Sequence, residues 1–188
     1  EDHPKRPTTL YGISKTAGEE YCLFYAKEFG VRVTAIRYFH VYGPRQDFSG
    51  DAGVVSIFLS RVMKGQNPKV YSGGTQIRCF TYIDDDVDAN IVLAIDDSTI
   101  GHVYNVASKE RVSINRLAET VIDKYGTTYG HENIQPEHEG HRQGENYNPV
   151  PDTAKIERTG WNAKVGFEEG LEKTKQWVEL HLRQNGEL

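Results

Sequence analysis

Tyr11 and Lys15 stand four residues apart in the stretch Thr9-Leu-Tyr-Gly-Ile-Ser-Lys-Thr-Ala-Gly-Glu-Glu20. Four residues is close to one helical turn, so on a helix both side chains leave the same face. A free phenol titrates near pH 10, too high to take a proton at neutral pH. An ammonium within a few ångströms favours the phenolate and lowers that value. The pair could therefore serve as a proton-transfer group. His131, His138 and His141, with Glu137 and Glu139, are the residues that invite a metal reading. Their spacing fits no compact zinc site and the segment is polar throughout, so a solvated loop with no metal is expected. Asp84, Asp85 and Asp86 sit where a helix should begin, and acid at the positive end of a helix dipole explains them.

The elements that must position the Tyr-Lys pair follow from periodicity. Ile13, Ala17, Tyr21, Phe24 and Tyr25 recur at helical spacing between Tyr11 and Phe29, and Gly30 supplies a stop. Val31–Phe39 is β-branched and aromatic and reads as a mostly buried strand. Gly43-Pro44 opens a polar loop to Asp51, and a helix is expected over Val54–Lys64. Lys69–Tyr71, Ser72-Gly-Gly74 and Arg78–Ile83 look like strand, turn, strand, with the glycines a fair hairpin signal. A longer loop between those strands would fit equally well. A helix over Val87–Ile95, a strand over Val103–Val106 and a helix over Ile114–Tyr125 capped by Ser113 come next. Residues 126–151 carry at most one short strand, around Ile134. A helix near 152–159 and an amphipathic helix over Phe167–Leu182 finish the chain. Strands alternating with helices imply an α/β protein with a largely parallel sheet.

The 188 residues, 37% hydrophobic and 26% charged, have ordinary globular composition. A net charge of −5 argues against a general nucleic-acid binder. No apolar run approaches the length of a bilayer span, so no membrane partner is expected. Cys22 and Cys79 lie in apolar patterns and read as free thiols of a reducing, cytoplasmic compartment. A doubly wound nucleotide-binding fold needs a Gly-rich turn between an early strand and a helix. No G-x-G-x-x-G occurs in these residues.

The stretches "YGISKTAGEEYCLFYAKEFGVRVTAIRYFHVYGPRQ", "VYSGGTQIRCFTYIDDDVDA", "HVYNVASKERVSINRLAE", "HRQGE", "DTAKIERTGW" and "FEEGLEKTKQWV" together resemble the extended short-chain dehydrogenase/reductase family. Within it they look most like NAD-dependent nucleotide-sugar epimerases and dehydratases, of the UDP-glucose 4-epimerase kind. The resemblance covers the family's second part, from the catalytic helix onward, and the chain reads as a C-terminal portion. It implies the end of a Rossmann-like parallel sheet (residues 1–40) and a mixed α/β substrate lobe (41–188). Helix 84–95 and strand 103–106 return to that sheet.

The resemblance also implies roles. Tyr11 would take a proton from a sugar hydroxyl as hydride passes to NAD, and Lys15 would hydrogen-bond the nicotinamide ribose. Tyr38 and His40 would border the cofactor. His40 stands where the family usually has an Asn touching the substrate, a departure that changes size and adds a titratable group. Arg78 and Arg142 would bind the nucleotide diphosphate, a task for which a guanidinium fork is suited. The family more often has Asp where Glu145 stands, beside Arg142. Tyr71 would pack on the base of a UDP-sugar. A homodimer through the Tyr-Lys helix is implied for the full-length family, with Tyr21, Phe24 and Tyr25 available to it. Residues 1–188 alone are expected neither to bind NAD tightly nor to turn over a nucleotide sugar. A 4,6-dehydratase, a UDP-glucuronate decarboxylase-like enzyme and a non-catalytic sugar-nucleotide-binding or oligomerisation module are the alternatives.

Overall fold

The computed structural model describes residues 1–49, 53–141 and 149–188. It opens with α1 (Leu10–Phe29). The Thr9 hydroxyl caps it by accepting from the Gly12 amide at 3.0 Å, and Gly30 ends it in the left-handed region, φ 64°. β1 (Ala35–Tyr38) follows and pairs in parallel with β6 (Val103–Val106), Ala35 facing Val103 and Tyr38 facing Val106. β2 (Val41–Tyr42) pairs in parallel with β5 (Thr81–Tyr82). β3 (Lys69–Tyr71) pairs in parallel with β8 (Glu137–Glu139), and β4 (Ile77–Arg78) antiparallel with β7 (Val112–Ser113). The remaining helices are α2 (Val54–Met63), α3 (Ile83–Ile95), α4 (Ile114–Tyr125), α5 (Ala154–Glu157) and α6 (Phe167–Gln184). This is the α/β class with parallel strands that the sequence pattern implies.

Two cores hold these elements. The larger joins α2, α4 and α6 through Phe58, Leu59, Leu117, Val121, Leu171 and Val178 to strand residues Tyr42, Val70, Tyr82 and Val112. The smaller packs α3, β6 and α5 through Ala89, Leu93, Tyr104, Val106, Ile156 and Trp161. Helix α1 enters neither: none of its residues is buried. Its half-buried residues are Gly12, Thr16, Glu19, Cys22, Leu23 and Ala26, while Tyr21, Phe24, Tyr25 and Phe29 are exposed.

The strand and the turn expected at Lys69–Gly74 are present, and the single strand expected over Arg78–Ile83 is corrected. Ser72, Gly73 and Gly74 all take positive φ (53°, 76°, 71°) and form a left-handed turn. Such a turn does not return the chain antiparallel to β3, and Gln76 closes the loop by donating to the Tyr71 carbonyl at 3.0 Å. The expected strand 78–83 splits into β4 and β5, which serve different partners, and Ile83 already begins α3. The short strand expected around Ile134 lies at Glu137–Glu139 instead; Ile134 is a core residue.

Candidate active site

Helix α1 and strand β1 run antiparallel, since the chain turns from Gly30 over four residues into Ala35. A charged clamp fastens them. The Arg37 guanidinium donates to both carboxylate oxygens of Glu19, from Nε and Nη2, at 2.7 Å each. Lys5 adds a second cation to Glu19 at 2.8 Å and also meets Glu20. Arg37 above all, with Lys5, holds the Glu19 carboxyl down at about 2 against the opposing effect of burial. At 1.5 Å per residue, Lys15 and Tyr11 lie about 6 and 12 Å along the helix from this clamp, on the side where β1 ends. The Lys15 ammonium sits 5.4 Å from the centre of the Tyr11 ring, a cation–π distance. Tyr11 is 72% exposed.

The chain leaves β1 through Tyr38, Phe39 and His40. Thr81, fully buried, fixes this crossing: its hydroxyl donates to the Phe39 carbonyl at 3.0 Å and accepts from the Ser108 amide at 3.0 Å. Its amide donates to the His40 carbonyl at 3.3 Å. His40 itself has φ 48°, a left-handed conformation uncommon for a residue other than glycine. Its ring meets the Phe80 ring edge-on at 6.0 Å, and its Nδ1 is buried without a hydrogen-bond partner. Burial first, and then the Arg78 cation, push the imidazole down to about 4. Tyr38 is held sideways, its hydroxyl donating to Asn90 Oδ1 at 2.7 Å, while Asn90 Nδ2 donates to the Asp86 carbonyl at 2.7 Å.

Arg78 belongs to β4, and its Nη1 donates to the Ile77 carbonyl at 2.9 Å. Tyr71 ends β3 with its side chain partly exposed, just before the left-handed turn. That turn is tightly fitted: Asn115 Nδ2 donates to the Gly73 carbonyl at 3.0 Å, and a Cβ on Gly74 would lie 1.9 Å from Asn115 Oδ1. His141 approaches from the other side, its Nδ1 3.3 Å from Ser72 Oγ. Arg142 and Glu145 lie outside the described residues. The structure thus sets Tyr11 beside Lys15 and brings the Arg78 charge to bear on His40.

Some of the polar residues that shape this region escaped the sequence reading. Asp85 is more than dipole-matched acid, because its carboxylate accepts from the Lys164 and Val165 amides at 3.0 Å each. Asp86 is 2% exposed and both its oxygens lack partners; burial, and then Asp85, raise it to about 8. In the string Asp84-Asp-Asp86 nothing distinguishes the three. The histidines and glutamates near 131–141 serve the fold: His131 Nε2 lies 3.1 Å from the Met63 carbonyl, and Glu139 pairs with Lys69 at 2.9 Å. Among the described residues no group of three or more His, Cys, Asp or Glu is arranged to hold a metal ion.

The model of the NAD dependent epimerase/dehydratase family matches residues 1–107. The chain belongs to that family. It is 33% identical over 183 residues to a putative UDP-glucose 4-epimerase of Methanocaldococcus jannaschii, covering 97% of this chain and 57% of that protein. Identity to the UDP-N-acetyl-alpha-D-glucosaminuronate decarboxylase of Bacillus cytotoxicus is 37% over 173 residues, 89% of this chain and 52% of the relative. The crystal structure of UDP-glucose 4-epimerase with UDP-glucose from Thermotoga maritima superposes with a TM-score of 0.86 at 32% identity, over 94% of this chain and 55% of that one. The chain spans about half the length of the curated relatives it matches.

NAD has a reacting end and a pyrophosphate, and the residues present suit them differently. Tyr11 and Lys15 offer an exposed phenol and ammonium on one helical turn, a donor set that fits the ribose next to the nicotinamide. For the pyrophosphate, the sequence holds no G-x-G-x-x-G.

Proposed function

We propose that this chain carries the proton-transfer and nucleotide-sugar-binding part of an NAD-dependent nucleotide-sugar epimerase of the UDP-glucose 4-epimerase type. The observation that carries the reading is the exposed Tyr11–Lys15 turn, placed by the Glu19–Arg37 clamp toward the end of β1 within the segment the family model matches. NAD, when bound, would accept a hydride from the sugar and return it. The rest of the work falls to side chains. Tyr11 takes the hydroxyl proton and gives it back, and Lys15 stabilises the phenolate in between. His40 and Arg78 meet the sugar diphosphate, with Tyr71 against the base. Arg142 is a further candidate for the diphosphate, and Tyr38 borders the cofactor.

Residues 1–40 are assigned to the Rossmann-like sheet and 41–188 mainly to the substrate lobe, helix 84–95 and strand 103–106 returning to the sheet. The free Cys22 and Cys79 agree with a cytoplasmic setting. The exposed row Tyr21, Phe24 and Tyr25 on α1 suits a homodimer contact. A decarboxylase reading is favoured by the 37% identity to the Bacillus relative, and it would begin with the same Tyr11 proton removal.

The experiment completes the chain with the Gly-rich half of a family member and supplies UDP-glucose and UDP-glucuronate separately. Interconversion of UDP-glucose with UDP-galactose supports the epimerase, and loss of carbon dioxide from UDP-glucuronate the decarboxylase. Tyr11→Phe should lower kcat at least about 100-fold, within the range for general acid–base groups, with UDP-sugar affinity kept. A variant retaining more than a tenth of kcat would overturn the role of Tyr11.

A further inference from the structure

Exposed apolar surface is gathered on one side of the molecule. Among the described residues, twelve of the sixteen large hydrophobic side chains left open to water lie on α1, its link to β1, β1 itself and α3. The core of α2, α4 and α6 is sealed by contrast, with Leu59, Leu117, Leu171 and Val178 fully buried.

Strand β1 is the centre of this surface. Among the described residues it pairs with β6 alone. The Ala35 and Phe39 amides donate toward β6, to the His102 and Val106 carbonyls. Strand alternation therefore turns the backbone groups of Ile36 and Tyr38 to the opposite edge. Ala-Ile-Arg-Tyr includes neither proline nor lysine, the residues that blunt an edge, and its one charge, Arg37, is spent on Glu19. On one face Val87, Ile91 and Ile95, spaced by four along α3, form an apolar stripe that is half open to water or more. Tyr38 joins this stripe, its hydroxyl meeting Asn90 of the same helix. On the other face lies α1, antiparallel to β1 and without one buried residue. A helix so placed is the crossover of a β-α-β unit, which packs over two parallel strands. Among the described residues α1 has one of the two, β1.

We infer that the open edge of β1, with the α3 stripe beside it, is the docking face for a separate polypeptide that adds a parallel strand to β1 and carries a Gly-rich, NAD-binding half of the fold. The inference stands on family membership and on the exposed surface, and does not need the role of Tyr11. A second copy of this chain fits the face less well. A twofold would set β1 against β1 antiparallel and leave α1 without its second parallel strand. A second copy also brings no G-x-G-x-x-G to a family that is NAD dependent. The chain superposes on 55% of the Thermotoga epimerase, so the rest of such a chain needs a surface, and this is the apolar one left open.

The test co-expresses residues 1–188 with the Gly-rich half of the Thermotoga epimerase as a separate chain, and reads the pair by sedimentation and amide hydrogen exchange. A 1:1 complex is expected. In the free chain the Ile36 and Tyr38 amides should exchange fast and those of Ala35 and Phe39 slowly; docking should slow Ile36 and Tyr38 at least about 100-fold. Ile91→Glu puts a charge into the interface at a position already 54% exposed, so the fold tolerates it and affinity should fall at least about tenfold. Leu180→Glu on α6, 55% exposed, is the control and should bind like the wild type.

No complex overturns the docking face. So does a complex that leaves Ile36 and Tyr38 exchanging as in the free chain and ignores Ile91→Glu. A free chain that sediments as a dimer with those two amides already slow gives the face to a second copy and overturns the choice of partner. None of these readouts uses turnover, so failure of the face and failure of the Tyr11 role are told apart. The exchange pattern is read on the wild type, so a poorly folded variant does not decide the matter.

Discussion

Replacing Asp86 by Asn should make this protein more stable at neutral pH. Asp86 is 2% exposed, both oxygens lack partners, and its carboxyl is raised from 3.8 to about 8 by burial and by Asp85. The folded value lies above the unfolded one, so between pH 4 and 8 the folded state keeps a proton that the unfolded chain releases. Stability from this group is complete below about pH 4 and declines by about 1.4 kcal/mol per pH unit until the carboxyl ionises in both states near 8. At pH 7 that amounts to as much as about 4 kcal/mol, and local relaxation around the site brings the expected gain to roughly 2–4 kcal/mol. Asn keeps the shape of the neutral acid and cannot ionise. His40 slopes the other way: its value is depressed to about 4, so it lowers stability as pH falls below 6.5. The clean window is therefore pH 6.5 to 8. Urea denaturation of both proteins across it should show the wild type losing stability with pH while Asp86→Asn stays level, the two curves converging toward pH 4. Parallel curves, or a less stable Asn variant at pH 7, would show that the carboxylate has a compensating partner and refute the reasoning.

Glu19 works in the opposite sense. Its value is depressed from 4.5 to about 2, so its contribution is present above pH 4.5 and lost toward pH 2. Glu19→Gln should cost about 1–2 kcal/mol at pH 7, reduced from the full linkage value because Lys5 is partly open to water, and almost nothing near pH 2; equal losses at both pH values in urea would contradict this. Gly170→Ala places a Cβ 2.1 Å from Tyr42 Oη and 2.9 Å from Tyr82 Cδ2. The overpacking should outweigh the better helix propensity of Ala and cost about 1–3 kcal/mol, seen as a lower urea midpoint; an unchanged midpoint would show that Tyr42 moves aside freely. In an enzyme completed with a Gly-rich half, Arg78→Ala should weaken UDP-sugar binding by roughly 1.5–3 kcal/mol and leave uridine nearly unaffected. Arg78→Lys should not restore the loss, because an ammonium lacks the planar fork; equal losses for uridine and the UDP-sugar would assign Arg78 to the fold or the base pocket.

What the sequence made legible were the features governed by near neighbours. Ser113 before Ile114, Gly30 after Phe29 and the strand at Val103–Val106 depend on local geometry, and each appears where the sequence pattern puts it. The Gly-Gly turn left a hairpin and a longer loop equally open, because hairpin chemistry also needs the flanking strands to pair. Here the pairing of β3 with β8 and β4 with β7 is decided by residues more than 30 positions away. The effect of Arg78 on His40 was not legible locally, since nearly 40 residues separate them along the chain. Asp86 was not legible at all. Three consecutive aspartates look alike in a string, and only the helix phase decides which one meets water, which the Lys164 and Val165 amides, and which neither.

The absence of any buried residue in α1 bears on how evenly stability is spread through this chain. A 20-residue helix held by two caps, a Glu19 clamp and a stripe rich in small side chains contributes little to the cooperative core made by α2, α4 and α6. Such a helix should open at lower free energy than that core, with its amides exchanging with deuterium before those of Leu59 or Val178. The turn bearing Tyr11 and Lys15 thus lies in an element without a buried residue. Any surface that covers α1 would rigidify those two side chains in the same step, and would raise the exchange protection of the helix as it does so.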